Sequence, residues 1–282
     1  MASVYGGGPS LRTSPSFALN QSTMARRDII ERGEPGVRNV GLLVEYDGTH
    51  FAGWQLQPGQ RTVQGALEEA LSVLCRHPVV VRVAGRTDAG VHAWEQRAHF
   101  FTKSTLSCDR ILRGANALAG VGVKLIGVEE MPLEWDARRD ALGKVYVYRL
   151  LVRREPSALL DKRVWHVPWQ LDLSAMEREL AALPARCDWR SYCAADGTDP
   201  NTVKDLRSAS LTREEHDVIA VRFEGSGFLK HMVRVLVGTL VEVGLGKRPE
   251  GSMLTARDAL DRRAAGRTAP PEGLYLKCVR YE

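Results

Sequence analysis

The sequence predicts an α+β fold in which two split βαβ halves share one long mixed, mostly antiparallel sheet. Three observations predict it. Short segments of alternating apolar residues, which read as strands, are interleaved with segments of helical period. In the first half they follow the order β-α-β-β-α-β, the ferredoxin-like arrangement. The same order returns in the second half, although residue identity between the halves is negligible. The composition agrees with a globular chain, since 44% of the 282 residues are hydrophobic and 26% charged. The longest uncharged, mostly apolar stretch, Gly114 to Val123, is far short of the roughly 18 residues that a membrane span needs, so no membrane partner is expected.

Residues 1–37 are expected to be a disordered extension. The first 27 contain no Asp or Glu, carry Gly6-Gly7-Gly8, and are rich in Ser and Thr through Thr23. Three readings stand: a flexible arm, an upstream extension with Met24 as the working start, or an organelle transit peptide. Sparse arginine weighs against the last.

Residues 38–139 form the first half. Val40, Leu42, Val44 and Tyr46 alternate as a strand. Thr62 is placed to cap a helix carrying Val63, Ala66, Leu67, Ala70, Leu71 and Leu74 on one face. Strands are expected at Val79–Ala84 and Arg97–Phe101, a helix at Asp109–Leu118, and a strand at Val123–Glu129. Residues 140–282 form the second half, opening with the strand Lys144–Val152. Ser174-Ala175-Met176-Glu177 reads as a capping box for a helix bearing Met176, Leu180 and Leu183. Strands follow at Leu206–Thr212 and Val218–Phe223, then an apolar helix at Phe228–Val243. Thr255-Ala256-Arg257-Asp258 is a second capping box, for a helix ending near Gly266, and Leu274–Tyr281 is the closing strand. With the two sheets side by side, helices are expected on one face and an RNA-binding groove on the other.

Charge and cysteines narrow the function classes. Lys and Arg number 39 against 34 Asp and Glu, a net +5 that suits a polyanionic partner. Cys75, Cys108, Cys187, Cys193 and Cys278 are scattered without a C-x-x-C pair. That excludes a disulfide framework and a zinc ribbon, and suits the reducing cytoplasm.

The most unusual segment is Gly85-Arg86-Thr87-Asp88-Ala89-Gly90-Val91-His92-Ala93, a connection much longer than a tight hairpin loop. Gly85 and Gly90 permit backbone angles that other residues avoid. Between them stand one cation, one hydroxyl and one carboxylate. A constrained loop presenting Asp88 at a sheet surface suits a nucleophile or general base. An isolated Asp between glycines is more often a turn organiser, so the segment alone leaves both readings open.

The nonamer resembles the active-site signature of the TruA-type tRNA pseudouridine synthase family. Further segments resemble the same family in order: Glu45 to Gln55, Thr62-Val63-Gln64, Lys144 to Arg149, His231-Met232-Val233-Arg234 followed by Gly238, and Glu272 to Leu276. Together they span Val40 to Glu282. The resemblance implies isomerisation of uridine to pseudouridine in the tRNA anticodon arm, at positions 38, 39 and 40. It also implies a homodimer and no metal, nucleotide or other cofactor. Asp88 becomes the nucleophile, or the base that starts glycosidic cleavage. Arg234 becomes its guanidinium partner and Tyr146 the ring against the uracil. Arg86 would hold the displaced strand once the uridine leaves its stack. Arg138, Lys230 and His92 complete the substrate-binding set, with His92 supporting the loop by hydrogen bonds. Arg149, Lys204 and Arg207 are further phosphate contacts. His92 and His99 have no third ligand near in sequence, so no metal site is expected.

The chain departs from the family at Asp136 and Arg139 beside Ala137-Arg138, at Cys193, and at Glu95-Gln96-Arg97. These bear on which tRNAs and positions are used. A catalytically silent RNA-binding protein on the same scaffold and an unrelated enzyme with Asp88 as general base are the rival readings.

Overall fold

The computed structural model describes residues 29–197 and 199–282. The expected disorder of the N-terminal extension lies, for residues 1–28, outside the described residues. Residues 29–37 make turns, from which Glu31 pairs with Arg82 (2.6 Å) and Glu34 with Lys103 (2.9 Å).

The first half contains β1 (Arg38–Tyr46), α1 (Val63–Cys75), β2 (Arg82–Val83), β3 (His92–Thr102), α2 (Cys108–Leu118) and β4 (Val123–Met131). The second contains β5 (Gly143–Val152), β6 (Trp165–Val167), α3 (Leu173–Ala182), β7 (Ala185–Asp188), β8 (Val203–Arg213), β9 (Val218–Gly225), α4 (Met232–Gly244), α5 (Ser252–Asp258) and β10 (Leu274–Arg280). All the strands join one mixed sheet in the order β4-β1-β3-β10-β5-β9-β8-β7, with β2 on β3 and β6 on β5. The sets β4-β1-β3-β2 and β10-β5-β9-β8 have the same internal order. They meet where β10 runs parallel to β3.

That seam positions the site. One edge of β3 is shared between two partners. β2 pairs with it at Ala98 and His99, and β10 at His92 and Ala93. The connection from Ala84 to Val91 leaves the sheet where the two partners diverge. Its first residue keeps the pairing, as the Ala84 N–H donates to the Arg97 carbonyl at 2.9 Å.

Several boundaries differ from the sequence reading. β2 is cut to two residues because the Val79 and Val81 N–H groups donate to Ser72 Oγ and Glu68 Oε1 of α1 instead of to β3. β3 begins at His92, so the end of the nonamer is strand. α3 is capped by Asp172, whose carboxylate accepts from the Ala175 N–H at 2.9 Å, and the box at Ser174 does not form. α4 begins at Met232, because His231 before it holds a left-handed φ of 60°, and Phe228–Lys230 lie outside the helix. Thr255 lies inside α5, its hydroxyl donating to the Gly251 carbonyl, and left-handed Leu260 (φ 52°) ends the helical path well before Gly266. β6 and β7, of three and four residues, are too short to show a period.

One continuous core lies between the sheet and its helices. Val40, Leu42 and Val44 of β1 pack with Leu67, Leu71 and Ile111, all fully buried. In the second half Leu236, Val237 and Leu240 of α4 join Val221 and Phe223 of β9. The groove expected on the bare face is placed differently. The large pocket opens on the helix-bearing side, between the start of α1 and the start of α4. Tyr146 on its floor alternates with Tyr148 and Leu150, which belong to the core under the helices. The helices of each half cover their own strands and part at the seam.

Under the other side of β3, His99 is 1% exposed. Its Nδ1 accepts from the Ala137 N–H at 3.2 Å, and its Nε2 has no hydrogen-bond partner. Burial holds its pKa down to about 4, against the raising effect of Asp136. A histidine with its folded pKa below the unfolded value binds its proton first in the unfolded chain. Stability is therefore lost as pH falls from about 6.5 towards 4, by up to about 3 kcal/mol. Denaturant midpoints at pH 7 and pH 5 are expected to differ less in His99→Gln than in the parent chain. An equal difference in both would remove His99 as the cause.

Candidate active site

The loop from Gly85 to Val91 is held on three sides. The Gln96 amide donates to the Gly85 carbonyl at 2.8 Å. The Thr87 hydroxyl bonds the Tyr46 hydroxyl at 2.8 Å, and the Trp54 N–H donates to the Thr87 carbonyl at 3.0 Å. The Val91 N–H closes the turn onto the Asp88 carbonyl at 3.2 Å. Gly90 takes a left-handed φ of 79°, as the sequence suggested. Gly85 does not need such an angle; it needs space, because a Cβ there would meet Lys144 Cε at 2.8 Å.

Asp88 leaves this loop with its carboxylate one-third exposed. Its Oδ2 accepts from Arg234 Nη1 at 3.1 Å, and His231 Nε2 lies 3.4 Å from the same oxygen. Arg234 is oriented from behind, since its Nε donates to the Ala269 carbonyl at 2.8 Å. One guanidinium thus joins α4, the segment before β10 and the loop of the other half. Burial lowers the His231 pKa despite Asp88 beside it, which favours the neutral ring.

Tyr146 is 8% exposed and stands edge-on to Phe228, with ring centroids 5.1 Å apart. Burial, with Tyr46 and Asp88 nearby, raises its pKa, so the phenol stays neutral. The same burial pushes Tyr46 up to about 12. The tyrosines therefore present hydroxyls, not phenolates, to anything that enters.

Asp88, Arg234, Tyr146, Arg86, Arg138 and Lys230 all line one cavity of about 1390 Å³. That exceeds the usual small-molecule pocket and leaves room for a nucleotide with its neighbours. Lys230 is engaged with Asp196 at 2.6 Å. The Arg86 and Arg138 side chains are exposed to the cavity and have no partner among the described residues. His92 is not in the cavity. It is 2% exposed and stacked on Tyr275. Its Nδ1 accepts from the Gly48 N–H at 3.1 Å, and its Nε2 lies 3.2 Å from the Glu272 carbonyl. Burial lowers its pKa, and the neutral ring braces the start of β3. Lys204 and Arg207 pair with Asp199 and Asp205, and Arg149 with Glu214.

Sequence reasoning gave no role to His231 or Lys144, although both stand inside quoted segments. Alternation two residues before Tyr146 would have placed Lys144 on the same face. Nothing in the sequence signals that His231 approaches Asp88, since that depends on its left-handed backbone.

This geometry can hold a carboxylate beside an aromatic face at the bottom of a basic cleft. A model of the tRNA pseudouridine synthase family matches residues 42–138 and 186–282. Proteins named tRNA pseudouridine synthase A are similar along most of the chain. That of Thermus thermophilus is 43% identical over 248 residues, covering 87% of this chain and 97% of the relative. That of a Geobacillus species is 39% identical over 246 residues, covering 87% and 99%. That of Caldicellulosiruptor bescii is 37% identical over 245 residues, covering 87% and 100%. Both matched segments contribute to one cavity, Asp88 from the first and Arg234 from the second, and on these grounds the chain belongs to the tRNA pseudouridine synthase family.

Proposed function

We propose that this isomerase acts on uridines 38, 39 and 40 of the tRNA anticodon arm, with Asp88 as its nucleophile. Conversion of uridine to pseudouridine in tRNA is the reaction of the family to which the chain belongs. The observation that carries the finer reading is the Asp88–Arg234 ion pair beside Tyr146 in one basic cavity. A uridine turned out of its stack presents C1′ and the ring edge to Asp88, and its flat face to Tyr146. The N1–C1′ bond breaks, the uracil turns, C5 bonds to C1′, the C5 proton leaves to solvent, and N1 takes up a proton from solvent, so that the product is an isomer. Arg234 keeps the Asp88 carboxylate aimed at the sugar and base. Arg86, exposed next to Asp88, suits a contact with the displaced strand.

The working unit in this reading is a cytoplasmic homodimer. One subunit grips the tRNA body while the pocket of the other receives the anticodon arm. Sedimentation that shows only monomer at working concentration would remove this part.

The test uses unmodified tRNA carrying tritium at uridine C5. Tritium release, mapped to positions 38, 39 or 40, is expected. Release from a different uridine would keep the reaction and discard the positions. Binding without release would favour the silent RNA-binding reading.

A further inference from the structure

We propose that Lys144, with Arg138, is the seat for a phosphodiester flanking the target uridine. The proposal rests on the substrate reading above and adds the residue that anchors the nucleotide once it is turned out.

Lys144 lies two residues before Tyr146 on β5, so both side chains rise from the same face about 7 Å apart. That separation is comparable to the span from base to phosphate in one nucleotide. Both line the cavity that holds Asp88. The Lys144 stem passes over Gly85, with Cε 2.8 Å and Nζ 3.3 Å from where a Cβ would stand. The missing side chain at Gly85 thus lets the ammonium reach the base of the catalytic loop.

The ammonium has no hydrogen bond and no ion pair among the described residues. A half-buried charge without a partner is costly, and such groups are normally paired. Burial, with the Arg138 and Lys204 charges adding to it, presses its pKa down to about 8. The carboxylates of the cavity are already engaged. Asp88 holds Arg234, Asp196 holds Lys230, Asp199 holds Lys204, and Asp136 accepts from the Arg138 and Arg139 N–H groups. Three cations of the cavity are left over among the described residues, Arg86, Arg138 and Lys144, and of these Arg138 is the one whose charge bears on Lys144. An incoming phosphodiester satisfies Lys144 and Arg138 and relieves their mutual repulsion. A neutral base edge would relieve neither.

The test compares the parent chain with Lys144→Met and Lys144→Arg on unmodified tRNA. Lys144→Met is expected to weaken binding about tenfold near 0.1 M salt and to flatten the slope of log affinity against log salt by about one unit. The single-turnover rate at saturating enzyme stays within about threefold of the parent, because a positioning contact made equally before and during reaction acts on affinity. Lys144→Arg restores affinity and slope. Methylphosphonate replacement of each phosphate flanking the target uridine then identifies the partner. At one of them, the neutral linkage and Lys144→Met are expected to cost no more together than either alone. Additive losses at both phosphates, or an unchanged salt slope, overturn the proposal. A saturated rate that falls a hundredfold with intact binding also overturns it and moves Lys144 to the uracil. Absence of tritium release from the parent chain would instead refute the reaction, while the salt slope would still read the phosphate seat.

Discussion

Asp88→Asn is expected to lower pseudouridine formation by about 10⁴-fold or more while leaving tRNA affinity unchanged or slightly raised. Each factor of ten in rate corresponds to about 1.4 kcal/mol, so the loss is about 5 kcal/mol or more of transition-state stabilisation. The amide keeps the size of the side chain and one acceptor oxygen for Arg234 Nη1, which now sits 3.1 Å from the carboxylate. Arg234 retains its second anchor at the Ala269 carbonyl, so the site keeps its shape. The fold should be little affected, because the carboxylate is one-third exposed and such partly solvated pairs contribute about 1 kcal/mol or less. Binding should hold because the cations free to meet the RNA lie elsewhere in the cavity. Removing a negative charge from a polyanion site cannot weaken its electrostatic attraction. The measurement is single-turnover tritium release beside a filter-binding titration. A variant that retains a tenth of the parent rate would remove Asp88 from the nucleophile position. A variant that loses rate and affinity together would make it a binding residue.

The sequence made much of this site readable for an identifiable reason. In β1 the residues Val40, Leu42, Val44 and Tyr46, and in β5 Tyr146, Tyr148 and Leu150, come at every second position and join one core, and α1 carries Thr62 at its cap with a clean apolar face behind it. Those elements are encoded locally. The cavity is not. Its position depends on β10 pairing with β3 beyond the end of β2, a pairing between residues nearly two hundred apart in the chain. The shortening of β2 is equally invisible locally, because the Val79 and Val81 N–H groups turn to Ser72 and Glu68 of α1. His92 illustrates the limit. A nonamer shows that a histidine stands four residues after Asp88, but not that a strand begins there and buries it against Tyr275. His231 and Leu260 show another limit, since left-handed angles at non-glycine residues leave no compositional signal.

Gly238→Ala is expected to destabilise the fold by about 2–4 kcal/mol and to disable the site with it. Gly238 faces the chain from Gly266 to Ala269, which lies along α4 like a strap. The strap is tied at several points. The Gly266 N–H donates to the Thr239 hydroxyl (2.9 Å), the Arg267 N–H to Glu242 (3.2 Å), and the Ala269 N–H to the Arg234 carbonyl (3.0 Å). A Cβ on Gly238 would collide with the Arg267 carbonyl oxygen and stand 2.9 Å from its carbon and 3.2 Å from the Ala269 nitrogen. These are backbone atoms and cannot turn aside as a side chain does. Relief requires the strap to lift, which strains those ties and withdraws the Ala269 carbonyl from Arg234 Nε. Alanine raises helix propensity by about 1 kcal/mol over glycine, which offsets only part of the cost. Gly114→Ala in α2 separates the two effects. There a Cβ meets only the Leu74 side chain, Cδ2 at 2.6 Å, Cδ1 at 3.1 Å and Cγ at 3.4 Å, a half-buried side chain that can change rotamer. Denaturant unfolding should show Gly114→Ala within about 1 kcal/mol of the parent, Gly238→Ala far below it, and tritium release lost only in Gly238→Ala. Parent-like stability and turnover in Gly238→Ala would mean that the strap moves freely and does not set the aim of Arg234 on Asp88.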